Sequence, residues 1–268
     1  MKIGVVGYGY VGRATARYFE RGHDVHLFDK YLPDHSADHN KDRINSCNLV
    51  FICVPTPTAS DGSSCDLSAI EDVFGWLRAP ACIKSTIPPG TVDRLERTSH
   101  DPIAFSPEYI GESPNHPWGE LESCGFVIIG GSPKIMELVR SAYEQVCHGQ
   151  IEYYLTSART AELCKYMENC FLATKVAFVN QFFDLAEVFH VDFAELRRLW
   201  LLDSRISPSH TEVTPERGFG GKCLPKDMRA LIAASTKLRS DAPLLTAVLD
   251  YNDSVRSGEH IKDMVRSR

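Results

Sequence analysis

Short apolar runs alternate with amphipathic stretches over the first half of the chain. Runs with the length and β-branched character of buried strands lie at 2–7, 24–29, 49–54, 81–85, 102–106 and 126–131. Apolar residues at helical spacing fall between several of them, at 10–21, 67–77 and 133–146. Strands that are apolar throughout and alternate with helices indicate an α/β fold, with a doubly wound, mostly parallel sheet.

The pattern changes near residue 155. More than thirty residues without glycine or proline follow, and their apolar positions recur at helical spacing. We predict one long helix over 157–190, further helices at 192–202, 225–237 and about 242–265, and a loop over 203–222. The chain therefore divides into an α/β domain, 1–156, and an all-helical domain, 157–268.

Composition narrows the class of protein. The 268 residues are 43% hydrophobic and 24% charged, as in an ordinary globular chain with a sizeable core. A formal net charge of −6 argues against nucleic acid as a partner. The apolar run at the N-terminus is short and broken by glycine, so we expect neither a signal peptide nor a membrane span.

Nine cysteines are scattered along the chain without a CxxC pair or a Cys/His cluster. This usage is typical of reduced thiols in the cytoplasm and predicts neither a disulfide framework nor a bound metal.

The sequence "GYGYVG" follows the first predicted strand and opens the first predicted helix. It places Gly7, Gly9 and Gly12 in the GxGxxG pattern of a Rossmann-type dinucleotide site. Asp29 ends the second predicted strand, where a carboxylate accepts hydrogen bonds from the adenosine ribose. An acid there disfavours a 2′-phosphate, so the pattern predicts NAD rather than NADP. The alternative is an ordinary strand–helix turn with a solvated aspartate.

Five further motifs follow in chain order: "FICVPTP", "IKSTIPPGT", "SPEYIGES", "AELCKYMENCFLATKVAF" and "RGFGGKCLPKD". The chain resembles the UDP-glucose/GDP-mannose dehydrogenases from residue 1 to about 265, and "LLDSRISPSHTEV" looks most like the UDP-glucose branch. The resemblance implies a UDP-glucose 6-dehydrogenase-like enzyme of nucleotide-sugar and polysaccharide metabolism. Such enzymes oxidise a primary alcohol to a carboxylate with two NAD+, through a cysteine-bound intermediate.

Three departures from the family pattern concern nucleotide recognition rather than hydride transfer. The chain resembles a short form that lacks the family's C-terminal nucleotide-sugar-binding domain. The segment 30–48 is also short, and Gly111 stands where the family often has arginine.

Cys223 lies in the glycine-rich, cationic segment "GFGGKCLPKD" between Lys222 and Lys226. Cations nearby favour a thiolate, the form of cysteine that attacks carbonyl carbon. A thiolate can retain an aldehyde as a thiohemiacetal, which then becomes a thioester on losing a second hydride. The alternative is a cysteine that fills a loop cavity.

Lys165 and Asn169 are four residues apart on the predicted long helix, so they share a face. An ammonium and an amide side by side could stabilise an oxyanion, although such a pair is more often a solvated helix surface. Their position in "KYMEN", which matches the family motif, favours the catalytic interpretation. Lys175 on the same helix is interpreted as a surface residue.

The resemblance implies roles for further residues. Glu108 is the base for thioester hydrolysis, and Thr86 and Asp227 hold a water; Asp227 could equally be the acid of a helix N-terminus. Cofactor contacts are implied for Tyr10, Val11, Asp29, Thr56, Thr86, Glu112 and Lys226, with the three glycines. Substrate contacts are implied for Glu108, Glu112, Lys165, Asn169, Arg205 and Gly220.

A diphosphate requires cations, and Arg205, Arg217 and Lys222 precede Cys223 in the loop. In the family the arginine that matches Arg205 reaches the sugar from the neighbouring subunit, and the apolar long helix predicts a homodimer through the helical domain. His148 and His210 are interpreted as surface residues.

Two other functions are compatible with the sequence. A β-hydroxyacid-type dehydrogenase would share the Rossmann domain, the long helix and a catalytic lysine, but needs no cysteine loop. A non-catalytic NAD-binding remnant or partner subunit would be expected to have lost some of the proposed catalytic residues. Because Cys223, Lys165, Asn169, Glu108 and Asp227 are all present, we expect an enzyme.

Overall fold

The computed structural model describes residues 1–60, 62, 64–111, 118–121, 125–147 and 151–257. The chain forms two compact units. The first comprises Met1–Pro57 and Cys65–Lys165, and the second comprises Thr58–Ser64 and Tyr166–Arg268.

A seven-stranded sheet forms the centre of the first unit, in the order β2-β1-β3-β4-β5-β6-β7. Adjacent strands are parallel except for β5 and β6. The predicted mostly parallel α/β sheet is therefore confirmed. The strands are β1 Lys2–Val6, β2 Asp24–Phe28, β3 Leu49–Ile52, β4 Ala81–Ile83, β5 Ile103–Phe105, β6 Phe126–Gly130 and β7 Glu152–Thr156.

Helices cover both faces of this sheet, which explains why β3, β4 and β5 are buried along their whole length. On one face α1 and α5 pack through an aromatic cluster, with the Phe19 and Phe51 ring centroids 4.6 Å apart. On the other face, α2, α3, α4 and the first turns of α6 pack around Ile83 and Phe105. The helices are α1 Tyr10–Phe19, α2 Asp38–Asn45, α3 Ser68–Trp76, α4 Thr91–Leu95, α5 Pro133–Glu144 and α6 Ala158–Val188.

The strand order reverses between β2-β1 and β1-β3, so β1 lies at a topological switch point. Ligands of open α/β sheets bind in the crevice outside the carboxyl ends of strands at such a point. The ends of β1, β2 and β3 carry Gly7, Asp29 and Cys53, respectively. The predicted dinucleotide loop therefore occupies the position that this topology offers to a ligand.

The second unit contains the remainder of α6 with α7 Phe193–Trp200, α8 Leu224–Lys237 and α9 Pro243–Ser257. The predicted end of the last helix at 265 lies outside the described residues. Small side chains of α6 pack against Phe219, Met228 and Leu249 to form the core of this unit. Several large apolar side chains of α6 within this unit are exposed, among them Met167, Phe171, Phe178, Phe182 and Val188.

Among the described residues, no helix is long and apolar enough to cross a membrane. The eight cysteines in this part of the chain are not joined in disulfides. Within the same residues, no group of three or more His, Cys, Asp or Glu side chains could hold a metal ion.

Candidate active site

The three glycines of "GYGYVG" have three different environments. Gly7 follows β1 with φ +88°, and a Cβ there would lie 2.7 Å from the Cys53 carbonyl oxygen. A Cβ on Gly12 would lie 1.9 Å from the Gly7 carbonyl oxygen, so α1 packs directly against the turn. A Cβ on Gly9, at the N-cap of α1, would meet nothing within 4 Å. This open backbone at a helix N-terminus fits the pyrophosphate of a dinucleotide.

Asp29 follows β2 and organises the glycine loop. Its Oδ2 accepts the backbone N–H of Tyr8 at 2.7 Å, and its Oδ1 accepts that of Tyr31 at 2.9 Å. The carboxylate therefore has a fixed place at the end of the strand, as the NAD hypothesis requires. Tyr10 donates its hydroxyl to the Gly111 carbonyl at 2.7 Å, and Val11 is half-buried on α1.

Thr56 and Thr86 come from the segments that follow β3 and β4. The buried Thr56 Oγ1 donates to the Thr86 carbonyl at 2.8 Å, while Thr86 itself is half-buried. This bond joins two of the loops at the carboxyl edge of the sheet. Glu112 and His148, both named from the sequence, lie outside the described residues.

Glu108 is held by groups on three sides. Its Oε1 accepts the backbone N–H groups of Tyr109 at 2.9 Å and Ile110 at 3.2 Å. Its Oε2 pairs with the ammonium of Lys84 at 3.1 Å, and both side chains are buried. A carboxylate with both oxygens engaged is fixed in position before any substrate arrives.

Lys84 was not predicted as a functional residue. Its ammonium also donates to the Tyr143 hydroxyl at 3.1 Å. Burial alone would lower the pKa of Lys84, but the Glu108 carboxylate, with Tyr143 and Cys82, raises it well above its ordinary value. The ammonium therefore stays charged beside Glu108. A charged residue directly after the apolar strand "ACI" was the sequence signal that could have identified it.

Lys165 is buried at the end of the first unit, with its ammonium 4.5 Å from the centroid of the Tyr109 ring. A cation over an aromatic face is stabilised by the ring quadrupole. Within this unit, Lys165 therefore lies beside the segment that carries Glu108.

Glu162 precedes Lys165 by almost one turn and is fully buried. Its carboxylate accepts the backbone N–H groups of Gly90 at 2.5 Å and Val92 at 2.9 Å, which fixes the start of α4 to α6. Burial raises the pKa of Glu162 to about 7, although these two hydrogen bonds oppose the shift. It was also missed from the sequence, where a glutamate on an amphipathic helix is ordinarily solvated.

In the second unit, Asp227 links two of the predicted residues. The Asn169 amide donates to Asp227 Oδ2, and the Lys226 ammonium pairs with Asp227 Oδ1. Asp227 is buried in the first turn of α8, where an acid also complements the helix dipole. Both interpretations of Asp227, as a site residue and as an acid of a helix N-terminus, are thus compatible with its position.

Cys223 is the N-cap of the 14-residue helix α8, and its thiol side chain is exposed. Its carbonyl accepts the Asp227 N–H at 2.9 Å. The N-terminus of a helix carries partial positive charge, which favours a thiolate over a thiol.

The three cations of the loop have different environments. Arg205 is exposed and forms a forked pair with Asp203, with 2.6 Å between Arg205 Nη2 and Asp203 Oδ2. Lys222 is exposed as well. Arg217 instead points inward and pairs with Asp184 at 2.6 Å. The structure therefore does not support Arg217 as a cation for a diphosphate.

Gly220 and Lys175 both make contacts that the sequence did not indicate. A Cβ on Gly220 would lie 3.0 Å from the Arg256 guanidinium, so this glycine passes close to α9. Lys175 donates to the carbonyls of Ser207 and Ser209, which ties the loop before Cys223 to α6. Lys175 is thus a loop contact rather than a solvated surface residue. His210 is exposed, as predicted.

The chain matches known proteins over both units. Residues 34–147 match the NAD-binding domain of the UDP-glucose/GDP-mannose dehydrogenase family, and residues 159–254 match its central domain. The chain belongs to the UDP-glucose/GDP-mannose dehydrogenase family. The family and the NAD cofactor predicted from the sequence are therefore confirmed.

Similar proteins include other members of the family. The UDP-glucose 6-dehydrogenase of Pseudomonas aeruginosa is 30% identical over 92% of this chain and 64% of its own length. That of Rhizobium meliloti is 28% identical over 95% of this chain and 68% of its own length. A UDP-glucose dehydrogenase structure from Pyrobaculum islandicum is 26% identical, with a TM-score of 0.80, covering 94% of this chain and 68% of that one. The chain thus spans about two thirds of the length of these relatives.

Proposed function

We propose that this family member catalyses the NAD-dependent, four-electron oxidation of a nucleotide sugar, with UDP-glucose as substrate and UDP-glucuronate as product. The observation that carries the proposal is an exposed thiol, Cys223, at the N-terminus of α8, with Asp227 held by Asn169 and Lys226 one turn later. The relatives named UDP-glucose 6-dehydrogenase support the choice of substrate.

The glycine loop and Asp29 are proposed to hold the cofactor, with Tyr10, Val11, Thr56, Thr86, Glu112 and Lys226 as further contacts. When bound, NAD+ supplies the hydride acceptor. The open backbone at Gly9 and the fixed carboxylate of Asp29 support this assignment, because they match the pyrophosphate and ribose of a dinucleotide.

Cys223 is proposed to retain the aldehyde that the first oxidation produces. Its thiolate forms a bond to the carbonyl carbon, and the electron pair of the C=O bond moves to oxygen. Loss of a second hydride from that carbon gives a thioester. Attack by water then breaks the carbon–sulfur bond, releases the carboxylate and regenerates the thiolate.

Lys165 and Asn169 are proposed to stabilise the negative oxygen at each of these steps, because an ammonium and an amide are both hydrogen-bond donors. Glu108 is proposed as the base that removes a proton from the attacking water, which Thr86 and Asp227 position. The fixed carboxylate of Glu108, held by Lys84 and two backbone N–H groups, supports this role.

We also propose a homodimer through the second unit, with Arg205 and Gly220 contacting the substrate. The exposed apolar side chains of α6 support the dimer, because such a row is costly to leave in water. The exposed pair of Arg205 with Asp203 contributes little to stability, so this arginine is free to exchange partners. Sedimentation at micromolar concentration should give a dimer; a monomer would remove this part of the proposal.

A count of NADH per substrate consumed tests the function. The assay uses a panel of UDP- and GDP-sugars with the full chain. Two NADH and a carboxylate product from a UDP-sugar are expected. One NADH with a stable carbonyl product would instead indicate a β-hydroxyacid-type dehydrogenase. Binding of NAD without turnover of any sugar would indicate a non-catalytic partner subunit.

A further inference from the structure

A buried group of side chains holds the start of the Cys223 loop, and we call Arg217, Asn180, Asp184 and Tyr251 the loop anchor. The Arg217 guanidinium donates to Asn180 Oδ1 at 2.8 Å and to Asp184 Oδ1 at 2.6 Å. Tyr251 donates its hydroxyl to Asp184 Oδ2 at 3.0 Å. The anchor therefore joins the loop to α6 and to α9 through one buried carboxylate.

The ion pair of the loop anchor is largely buried, unlike the exposed ion pairs on the surface. The side chains of Arg217 and Asp184 are 14% and 8% exposed, and the guanidinium also lies 4.6 Å from the Phe183 ring centroid. Burial, with the Asp184 carboxylate beside it, raises the pKa of Tyr251, so this phenol remains a neutral donor. A buried carboxylate needs such partners, because leaving it unpaired is costly.

The backbone at Arg217 supplies an independent observation. Its φ of +54° lies in the left-handed region, which a residue with a long side chain rarely adopts. A backbone conformation of this kind persists only where surrounding contacts hold it in place. Such conformations are common at functional sites. Here the side chain of Arg217 supplies those contacts, and Arg256 donates to the Arg217 carbonyl at 3.1 Å.

The two residues after Arg217 are fixed by the same two helices. The Gly218 N–H donates to Asn180 Oδ1 at 3.0 Å, and the Phe219 N–H donates to Asn252 Oδ1 at 2.6 Å. Phe219 and Asn252 are both buried. The backbone is therefore held at 217–219 and again at the N-cap of α8, with Gly220, Gly221 and Lys222 between them. This arrangement limits how far the thiol of Cys223 can move.

We propose that Arg217 is a positioning residue for the Cys223 thiol, acting through the loop anchor rather than by contact with substrate. The inference rests on the proposed thiol relay. Because only the second oxidation and the hydrolysis use the carbon–sulfur bond, loss of the anchor should impair these steps more than the first oxidation. Displacement of a reacting group by about 1 Å can cost about a hundredfold in rate.

Arg217→Gly is the most informative variant, since glycine tolerates a positive φ while removing the side chain. We expect an unchanged KM for NAD+ and a second oxidation slowed about tenfold to a hundredfold. NADH per substrate should fall from two towards one, with aldehyde captured by an aminooxy reagent. Added guanidinium salt should restore part of the second step by refilling the space beside Asp184.

Two further variants separate positioning from stability. Tyr251→Phe removes one hydrogen bond of the loop anchor and should give a smaller defect of the same kind. Arg229→Met removes an exposed pair with Asp253 between α8 and α9, and should retain two NADH per substrate. If Arg217→Gly keeps wild-type rates and two NADH, or if it and Tyr251→Phe slow both oxidations equally, the proposal is overturned.

Alkylation by iodoacetamide gives a readout that needs no turnover. Peptide mass spectrometry compares Cys223 with Cys164, an exposed thiol of the same chain. We expect Arg217→Gly to change the Cys223 rate at least severalfold while the Cys164 rate stays constant; no change at Cys223 would contradict the inference. If wild type yields one NADH, the proposed relay fails, whereas this readout still reports on the anchor.

Discussion

The two glycine-rich loops of the chain look alike in sequence and are built in different ways. In "GYGYVG" of the first unit, Cβ atoms on Gly7 and Gly12 would meet backbone atoms at 2.7 and 1.9 Å. In "GFGGKC" of the second unit, Cβ atoms on Gly218 and Gly220 would meet the side chains of Asn252 and Arg256 at 2.5 and 3.0 Å.

Backbone cannot yield to an added carbon, whereas the end of the long Arg256 side chain beside Gly220 can. The first loop is therefore a rigid cradle whose form is set by the sheet beneath it. The second loop is held by side chains that leave limited freedom around Cys223. A rigid cradle suits the NAD cofactor, whose framework does not change on binding. A tethered loop suits the bond-forming role proposed for Cys223.

The largest expected effect tests the rigid cradle. In Gly12→Ala, the added methyl group would clash with the Gly7 carbonyl oxygen. We therefore expect loss of NAD+ binding and destabilisation of the first unit by about 3 kcal/mol or more. Gly220→Ala should cost less than about 1 kcal/mol, because the Arg256 guanidinium can move aside. Fluorescence titration with NADH and urea unfolding measure both. Equal effects of the two substitutions would erase the contrast between the loops.

The next effect concerns Lys165, which is proposed to stabilise the negative substrate oxygen, and Glu108, which is proposed to remove a proton from the attacking water. Lys165→Ala should slow both hydride steps by about a hundredfold to a thousandfold, since each develops charge on the substrate oxygen. Glu108→Gln should leave both hydride steps nearly intact and let the thioester accumulate. Rapid-quench measurements of NADH and of acid product separate these outcomes. Slowing of hydrolysis alone in Lys165→Ala would contradict its assigned role.

A smaller effect is expected at the end of β2. Asp29→Ala removes the acceptor proposed for the ribose and the hydrogen bond to Tyr8, so NAD+ affinity should fall by about tenfold to a hundredfold. Affinity for NADP+ should change little, because loss of the hydrogen bond to Tyr8 offsets the relief of repulsion between the carboxylate and the 2′-phosphate. Calorimetric titration of both cofactors gives the comparison. Equal affinity for NAD+ and NADP+ in the unmodified chain would overturn the assignment.

A further effect is a pH dependence of stability from Glu162, which changes folding rather than cofactor binding or turnover. Its pKa is raised from 4.5 to about 7, so the folded state holds a proton that the unfolded state releases between these values. The contribution of this group to stability therefore falls as pH rises from about 4.5 to about 7, by up to about 3 kcal/mol. Glu162→Gln cannot titrate, so its stability should lack this decline.

Urea unfolding of wild type and Glu162→Gln at pH 5, 6, 7 and 8 measures the difference in the free energy of unfolding. The free energy of unfolding of Glu162→Gln should increase relative to that of wild type as pH rises. Glu71→Gln is the control, because it removes a carboxylate whose pair with Arg94 is exposed. If the free energies of unfolding of wild type and Glu162→Gln differ by the same amount at every pH, burial does not raise the pKa of the Glu162 carboxyl.

The sequence predicted those parts of the fold that depend on local pattern. Strands buried on both faces are continuously apolar, and the glycine loop has a spacing that its geometry demands. By contrast, β7 was missed because its side chains are mostly exposed and its sequence, "EYYLT", is not an apolar run. The polar helix α2 and the short helix α4 were missed for a similar reason, since little of α2 is buried and α4 spans five residues.

The residues of the candidate site also fall into two groups, those that the sequence identified and those that it did not. Motif residues such as Cys223 and Asp227 could be named from the sequence, because their neighbours along the chain carry the information. Lys84, Glu162 and Asp184 could not, because their importance comes from burial beside a partner that is distant in sequence. Arg217 was misinterpreted for this reason: a cation in a loop gives no indication of whether it points outward or into the core.

The proposed mechanism requires that Cys223 forms a covalent bond to the substrate carbon. The most direct test incubates the wild-type chain with UDP-glucose and NAD+, quenches in acid and weighs the peptides by mass spectrometry. We expect an adduct on the peptide that contains Cys223; this adduct should be absent from Cys223→Ala, which should form no acid. Wild-type turnover by Cys223→Ala, with two NADH per substrate, would contradict this mechanism.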